Sequence, residues 1–301
     1  LNDPLSLLNP TEHPEVLRSG RAKNELKKTT RTNAKIAEKI REARSNIHIP
    51  TNYSVVSSAR DLGRVARLIA KTGSFAFDTE TSGLKPWKDK LYCVSLYVDG
   101  QAFLINFEHP LLPKISKALF VAELAHYFTS DDYFRVGFNY NFDAHFLEHG
   151  TGIVCGPAGW DGFLGTWLID EDRHTKALKP ICEDVLGIAG DKYEQQFGKT
   201  AWVVIDPQVA FVYACKDAEL HWKLYEYQQA ELKKAPRVYK LGHDLEMPCF
   251  NEDLIVEREG FDLDVNYLRN ELGAKMEAQL QEIRYAMYDA AKGVADTKAG
   301  G

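Results

Sequence analysis

Material for disulfide bonds and for membrane spans is what this sequence has least of. Its five cysteines, Cys93, Cys155, Cys182, Cys215 and Cys249, are odd in number and none forms a C-x-x-C pair. They read as reduced, mostly buried thiols of a reducing, cytoplasmic compartment. No apolar stretch approaches the roughly 20 residues of a membrane span, no secretory leader is evident, and there is no internal repeat or low-complexity tract. A membrane partner is therefore not expected. What the chain does have is ample apolar content, 45% hydrophobic over 301 residues, enough for one large or two modest domains.

Charge is spread unevenly. Ten basic residues lie between Arg18 and Arg44 against three acids, so this stretch carries +7 in a chain of net charge −6, and the remainder is acidic. An acidic body cannot draw in a polyanion by its overall field. The basic stretch, with only Leu26, Ile36 and Ile40 as apolar positions, is expected to contact nucleic acid or a partner protein, or to stand as a solvated charged face.

The chemistry concentrates at three places. Ser74-Phe75-Ala76-Phe77 is a short apolar run that leads into Asp78-Thr79-Glu80. On a strand, residues two apart share a face, so Asp78 and Glu80 would stand side by side where the strand leaves its sheet, and a hard divalent ion would relieve their repulsion. A second strand, Phe134 to Gly137, runs toward a helix on which Asn139 and Asp143, four apart, would share one face. In the third segment Asp206-Pro207 reads as an N-cap followed by proline at the first helical position. That helix would stack Tyr213 and Asp217 one turn apart. Four acids and a tyrosine would then converge from one strand and two helices.

Asp78-Thr79-Glu80, Asn139-x-x-x-Asp143 and Tyr213-x-x-x-Asp217 resemble the three motifs of the DEDD 3′→5′ exonucleases, in the tyrosine branch; the histidine branch would need histidine where Val212 stands. Order and separation are similar to the proofreading domain of family A, polymerase I-like, DNA polymerases. His174-Thr175-x-Ala177-Leu178-Lys179 with Leu186-Gly187 resembles the family's segment between the second and third motifs, and Glu246 to Leu268 resembles the helix pair that joins exonuclease to thumb. The likeness runs from Ser54 to Ala291.

The resemblance implies an α/β, ribonuclease H-like mixed sheet flanked by helices, with an exonuclease domain (54–235) and a helical thumb-like segment (236–301); the basic stretch before it, which the resemblance does not reach, is read from its charge as a basic N-terminal helical extension and linker (1–53). The resemblance also implies two Mg²⁺ or Mn²⁺ ions about 4 Å apart acting on an in-line displacement. Asp78 would bridge both, Glu80 and Asp217 would help hold the nucleophile-side ion, and Asp143 the second. Tyr213 would orient the attacking water through a phenol that is protonated at neutral pH. Thr81 and Asn139 would meet the strand, Leu84 would wedge against the terminal base, and Phe142 and Tyr193 would stack on frayed bases. The implied partners are a single-stranded or frayed DNA 3′ end and a DNA polymerase domain or subunit. Fingers and palm motifs are absent up to Gly301, so the chain is expected to be either a fragment of a longer polymerase, as Leu1 and the terminal Ala299-Gly300-Gly301 suggest, or a separate exonuclease. An RNA 3′-trimming enzyme of RNase D type and a non-catalytic docking module are the alternatives.

His145-Phe146-Leu147-Glu148-His149 also fits H-x-x-E-H, a zinc-peptidase pattern, but Gly150-Thr151-Gly152 follows at once and no third ligand is evident. The remaining elements read in order as a helix from Ala59 to Lys71, strands Ser74–Asp78, Leu91–Val98 and Gln101–Phe107 with an Asp99-Gly100 hairpin turn, a helix near Ile115 to Phe128, and a helix from Leu178 to Leu186. Beyond about Lys240 the chain is expected to be helical, with Asp264 capping a long helix to Ala291.

Overall fold

In a computed structural model, six strands form a single sheet in the order β1-β4-β3-β2-β5-β6. The structure describes residues 48–190, 197, 198 and 200–298. The basic stretch Arg18–Arg44 and Tyr193 lie outside the described residues. The strands are β1 (Tyr53–Val55), β2 (Ser74–Thr81), β3 (Leu91–Val98), β4 (Gln101–Asn106), β5 (Phe134–Gly137) and β6 (Trp160–Asp161). The β2-β3 and β3-β4 pairs are antiparallel, and β1-β4, β2-β5 and β5-β6 are parallel. The mixed sheet expected from the sequence is thus present, with two more strands than the sequence pattern announced.

The antiparallel hairpin forms because Asp99 and Gly100 both take positive φ, 50° and 74°, the turn geometry whose twist matches paired strands. Helix α1 (Ala59–Thr72) begins at Ser58, whose side chain accepts from the Asp61 N–H, and stops at Gly73 with φ 68°. It buries Leu62, Val65, Ala66 and Ile69, an i, i+3, i+4, i+7 stripe. Helix α2 (Lys117–Thr129), capped by Ser116, buries Phe120, Leu124 and Phe128. Phe128 meets Phe75 and Phe77 of β2 edge-on at 5.1 and 5.2 Å, which joins the helix layer to the central strand.

Helix α3 (Tyr140–Thr151) follows β5, and α4 (Gly162–Ile169) follows β6. Asp161 caps α4 through Oδ1 to the Leu164 N–H, while its Oδ2 accepts from the Tyr140 N–H, each at 2.8 Å. One carboxylate therefore holds the starts of two helices. Helix α5 (Leu178–Leu186) and the 26-residue α6 (Pro207–Leu232) complete the layer, α6 packing across β2, β3 and β4. Arg135 is fully buried in β5 and spends its guanidinium on the carbonyls of Tyr127, Ser130 and Pro157, which satisfies a charge that would otherwise be costly.

Helix α7 (Pro236–Leu241) and a π-helical turn, Gly242–Glu246, lead into α8 (Met247–Glu259). The chain divides into two compact units between Leu254 and Ile255. Within the first unit the Asn251 side chain exchanges hydrogen bonds with the Ala158 backbone. The second unit contains α9 (Gly273–Lys298). Asp264 accepts from the Tyr267 N–H at 2.9 Å, the capping contact expected of it. All five cysteines are free thiols, four of them buried. Among the described residues no helix is long and apolar enough to cross a membrane.

Candidate active site

Strand β2 sits between β3 and β5, so its backbone is paired on both sides. Asp78 stands opposite Ser95 and Glu80 opposite Cys93. The sequence expectation that the strand ends at Asp78 is corrected: pairing continues to Thr81, with a register shift between Glu80 and Thr81. The acids therefore project from a paired strand instead of a strand exit, because β3 continues to supply partners beyond them.

Helix α6 supplies the facing wall. Asp206 Oδ1 accepts from the Gln208 N–H at 3.0 Å and Pro207 occupies the first helical position, as the sequence pattern indicated. Tyr213, Asp217 and His221 then recur every four residues along the helix. Asp78, Glu80 and Asp217 each offer an oxygen, and these oxygens all lie within 4.8 Å of one another. Asp143, in the first turn of α3, is buried, and its Oδ1 accepts from the backbone N–H of Thr79 at 2.9 Å and from the Thr79 hydroxyl. Three of the four expected acids thus form one cluster, and the fourth is tied to the residue between the first two.

Asn139 does not lie on the Asp143 helix. It precedes α3 in a left-handed conformation, φ 63° and ψ 48°, and makes no side-chain cap. The helix starts one residue later, at Tyr140, because the left-handed Asn139 cannot continue it, and Asp161 accepts from the Tyr140 N–H. Asn139 is exposed at this entry. Leu84 is 81% exposed on the tip after β2, Thr81 donates its hydroxyl to the Gly83 carbonyl at 2.7 Å, and Phe142 is half-buried against Phe146 at 4.8 Å.

Two neighbours of the acids were given no role at the site by the sequence reading, though Lys179 stands in the segment between the second and third motifs. Lys179, buried in α5, places its ammonium 2.9 Å from Asp217 Oδ2 and 3.4 Å from the centre of the Tyr213 ring. Its partner lies 38 residues downstream, and no local pattern marks such a pair. His221 was legible as the next step of the Tyr213-Asp217 spacing. Its Nδ1 lies 2.9 Å from the Phe77 carbonyl, which can only accept, so Nδ1 carries the proton. Nε2 is left facing Asp78 Oδ1 at 3.7 Å. Burial holds the imidazole down to about 4, so it is neutral.

The acids are strained by their own company. Burial, then Asp143, Asp217 and Glu80, push Asp78 well above the usual carboxylate range. Burial and Asp217 push Glu80 up to about 8. Asp143 rises to about 7 through burial, against the two Thr79 hydrogen bonds, and Asp217 rises through burial, against Lys179. Lys179 takes Asp217 Oδ2, whereas the buried Oδ1 has no hydrogen-bond partner. An all-oxygen set with an unmet buried carboxylate oxygen fits a hard divalent cation. Among the described residues this is the one group of three or more such side chains close enough to share an ion, and it does not include His145, Glu148 or His149.

The chain is 28% identical over 220 residues to DNA polymerase I of Borreliella burgdorferi, covering 72% of this chain and 24% of that protein. The chain spans about a quarter of the curated relatives it matches. In fold it is similar to Escherichia coli RNase D, an exoribonuclease involved in structured RNA processing, with a TM-score of 0.57 at 15% identity over 74% of this chain and 55% of that one. The POL domain of Pol1 from M. smegmatis, in complex with DNA primer-template and dNTP, gives the same score and identity over 75% of this chain and 36% of that one. The sequence profile of the 3′-5′ exonuclease family matches residues 53–233, and with more than half of its length matched the chain belongs to that family.

Proposed function

We propose that this 3′-5′ exonuclease acts on DNA 3′ ends, single-stranded or frayed, as the proofreading part of a DNA polymerase. The observation that carries the chemistry is the cluster of Asp78, Glu80 and Asp217 with the unmet Oδ1 of Asp217. Likeness to DNA polymerase I across most of the chain supports DNA over RNA.

Asp78, Glu80 and Asp217 would hold the divalent ions, Mg²⁺ or Mn²⁺, with Asp143 contributing from the Thr79 side. When bound, two such ions supply an activated water and stabilisation of the leaving 3′ oxygen. Lys179 engages Asp217 through Oδ2 and leaves Oδ1 without a hydrogen-bond partner, open to an ion. The Tyr213 hydroxyl orients the attacking water, and the ring is held in place by the ammonium over its face. Asn139 and Thr81 meet the sugar-phosphate of the strand. Leu84 and Phe142 meet the terminal bases, with Tyr193 as a further stacking residue.

The test is degradation of 3′-labelled and 5′-labelled DNA primers, matched and mismatched, in Mg²⁺ or EDTA. Metal-dependent shortening from the 3′ end, faster on mismatches, is the expected result. Faster shortening of a matching ribo-oligonucleotide would assign the chain to RNA trimming, and no shortening under any metal would leave a docking module.

A further inference from the structure

The tip between β2 and β3 has a surface that none of these roles uses. It reads Ser82-Gly83-Leu84-Lys85-Pro86-Trp87-Lys88-Asp89-Lys90, with three lysines against one acid in a chain of net charge −6. Trp87 is 71% exposed, and its indole has no ring contact or hydrogen bond among the described residues. Lys85, Lys88 and Lys90 are exposed as well, and no described carboxylate pairs with their ammonium groups.

This tip is built to hold one shape. The Lys85 N–H donates to Asp89 Oδ2 at 2.9 Å, and the Lys88 and Asp89 N–H groups both return to the Lys85 carbonyl at 2.9 and 2.7 Å. At its base the Ser82 N–H donates to the Lys90 carbonyl, and the Lys90 N–H donates to Ser82 Oγ. A Cβ on Gly83 would lie 2.4 Å from Asp89 Oδ2, so the Asp89 clasp needs a glycine there. Pro86 fixes the φ of the residue before the indole. An exposed tryptophan on a backbone fixed in this way, in a short loop with three exposed lysines, has the composition of a stacking platform for single-stranded nucleic acid. It also leaves the strand that carries Asp78 and Glu80.

We infer that Trp87 stacks on a base of the single strand entering the site while Lys85, Lys88 and Lys90 meet that strand's phosphates. The inference rests on the exonuclease reading and extends its strand contacts beyond Leu84. The full chain carrying Asp78→Ala, which would keep the strand intact, is titrated with 5′-fluorescein oligodeoxythymidine and oligouridine by anisotropy. Trp87→Ala is expected to weaken binding of both about tenfold, and Trp87→Phe to restore most of it, because stacking needs a π-face and ignores the sugar. Replacing the three lysines by alanine should reduce the slope of log affinity against log salt by about 2. Affinity for both oligomers within about twofold of the parent in Trp87→Ala, or an unchanged salt slope in the triple-lysine variant, would overturn the proposal and point to a protein partner for the tip. Hydrolysis by the unsubstituted chain is measured separately, so failure of the exonuclease reading is distinguishable from failure of Trp87 to stack.

Discussion

The strand side and the helix side of the acidic cluster are held by different means. Asp78 and Glu80 are positioned by backbone: β2 is laddered to β3 through both residues, and the side-chain neighbours that shift them are mostly other acids. Asp217, on α6, is positioned by a side chain, the buried ammonium of Lys179. Among the described residues no lysine or arginine pairs directly with either strand acid, and Lys179 only partly offsets them, whereas Asp217 has that ammonium at 2.9 Å. A divalent cation has most to gain on the strand side, and the helix side governs how the rest of the site is aimed.

The largest effect should come from removing a strand acid. Asp78→Ala takes away the oxygen that faces both Glu80 and Asp217, and hydrolysis should fall below detection with the fold intact, since the ladder needs only its backbone. Retained metal-dependent cleavage would break the comparison at its stronger side. On the helix side Lys179→Met keeps the length but removes the charge, and activity or ion affinity should drop about 10- to 100-fold, the usual cost of losing the group that orients a ligand. Calorimetric titration with Mn²⁺ measures the affinity directly. An unchanged variant would mean that Asp217 needs no anchor. Tyr213→Phe removes one hydroxyl and keeps the ring under the ammonium, so kcat should fall about tenfold with KM little changed. Loss as complete as in Asp78→Ala would give the phenol a chemical role beyond orientation.

How much of this was legible follows the same division. Asp78 and Glu80 could be read because a strand repeats every two residues, and Tyr213 and Asp217 because a helix repeats about every four. The start of α6 was legible because Asp206-Pro207 is a local signal. Elements that exist only through tertiary pairing were not. β1 and β6 are three and two residues long and are strands because β4 and β5 are there to pair with them. Helix α4, Gly-Phe-Leu-Gly-Thr-Trp-Leu-Ile, has no polar face to set a period, and a Cβ on its Gly165 would lie 2.4 Å from Gln228 Oε1 of α6. Asn139 was misplaced by one residue because its left-handed conformation ends the helix there, and the acceptor for the next N–H is Asp161, 21 residues beyond Tyr140. Lys179 was legible within the family-like segment, but its role went unassigned because its partner lies far along the chain.

The smallest effect is on stability, and although all four acids are raised, the two strand acids weigh most in it. Glu80 is pushed up to about 8 in the folded protein from an ordinary value of 4.5, so between those values the folded state binds a proton that the unfolded chain has released. Stability of the metal-free protein must then fall as pH rises toward 8. His221 acts in the opposite sense at lower pH: held to about 4, its contribution is lost only as pH drops below its ordinary 6.5, so it is silent above that point. Between pH 6.5 and 8 the Glu80 contribution is about 2 kcal/mol, and Asp143, raised to about 7, adds to the lower part of the same window. A bound divalent ion keeps these carboxylates ionised in the folded state and removes the dependence. Urea unfolding in EDTA should show the midpoint falling across this window, and in saturating Mn²⁺ the fall should vanish while the midpoint rises. A fall that persists unchanged in Mn²⁺ would place its origin outside the acidic cluster and remove the distinction between an unbalanced strand side and a balanced helix side.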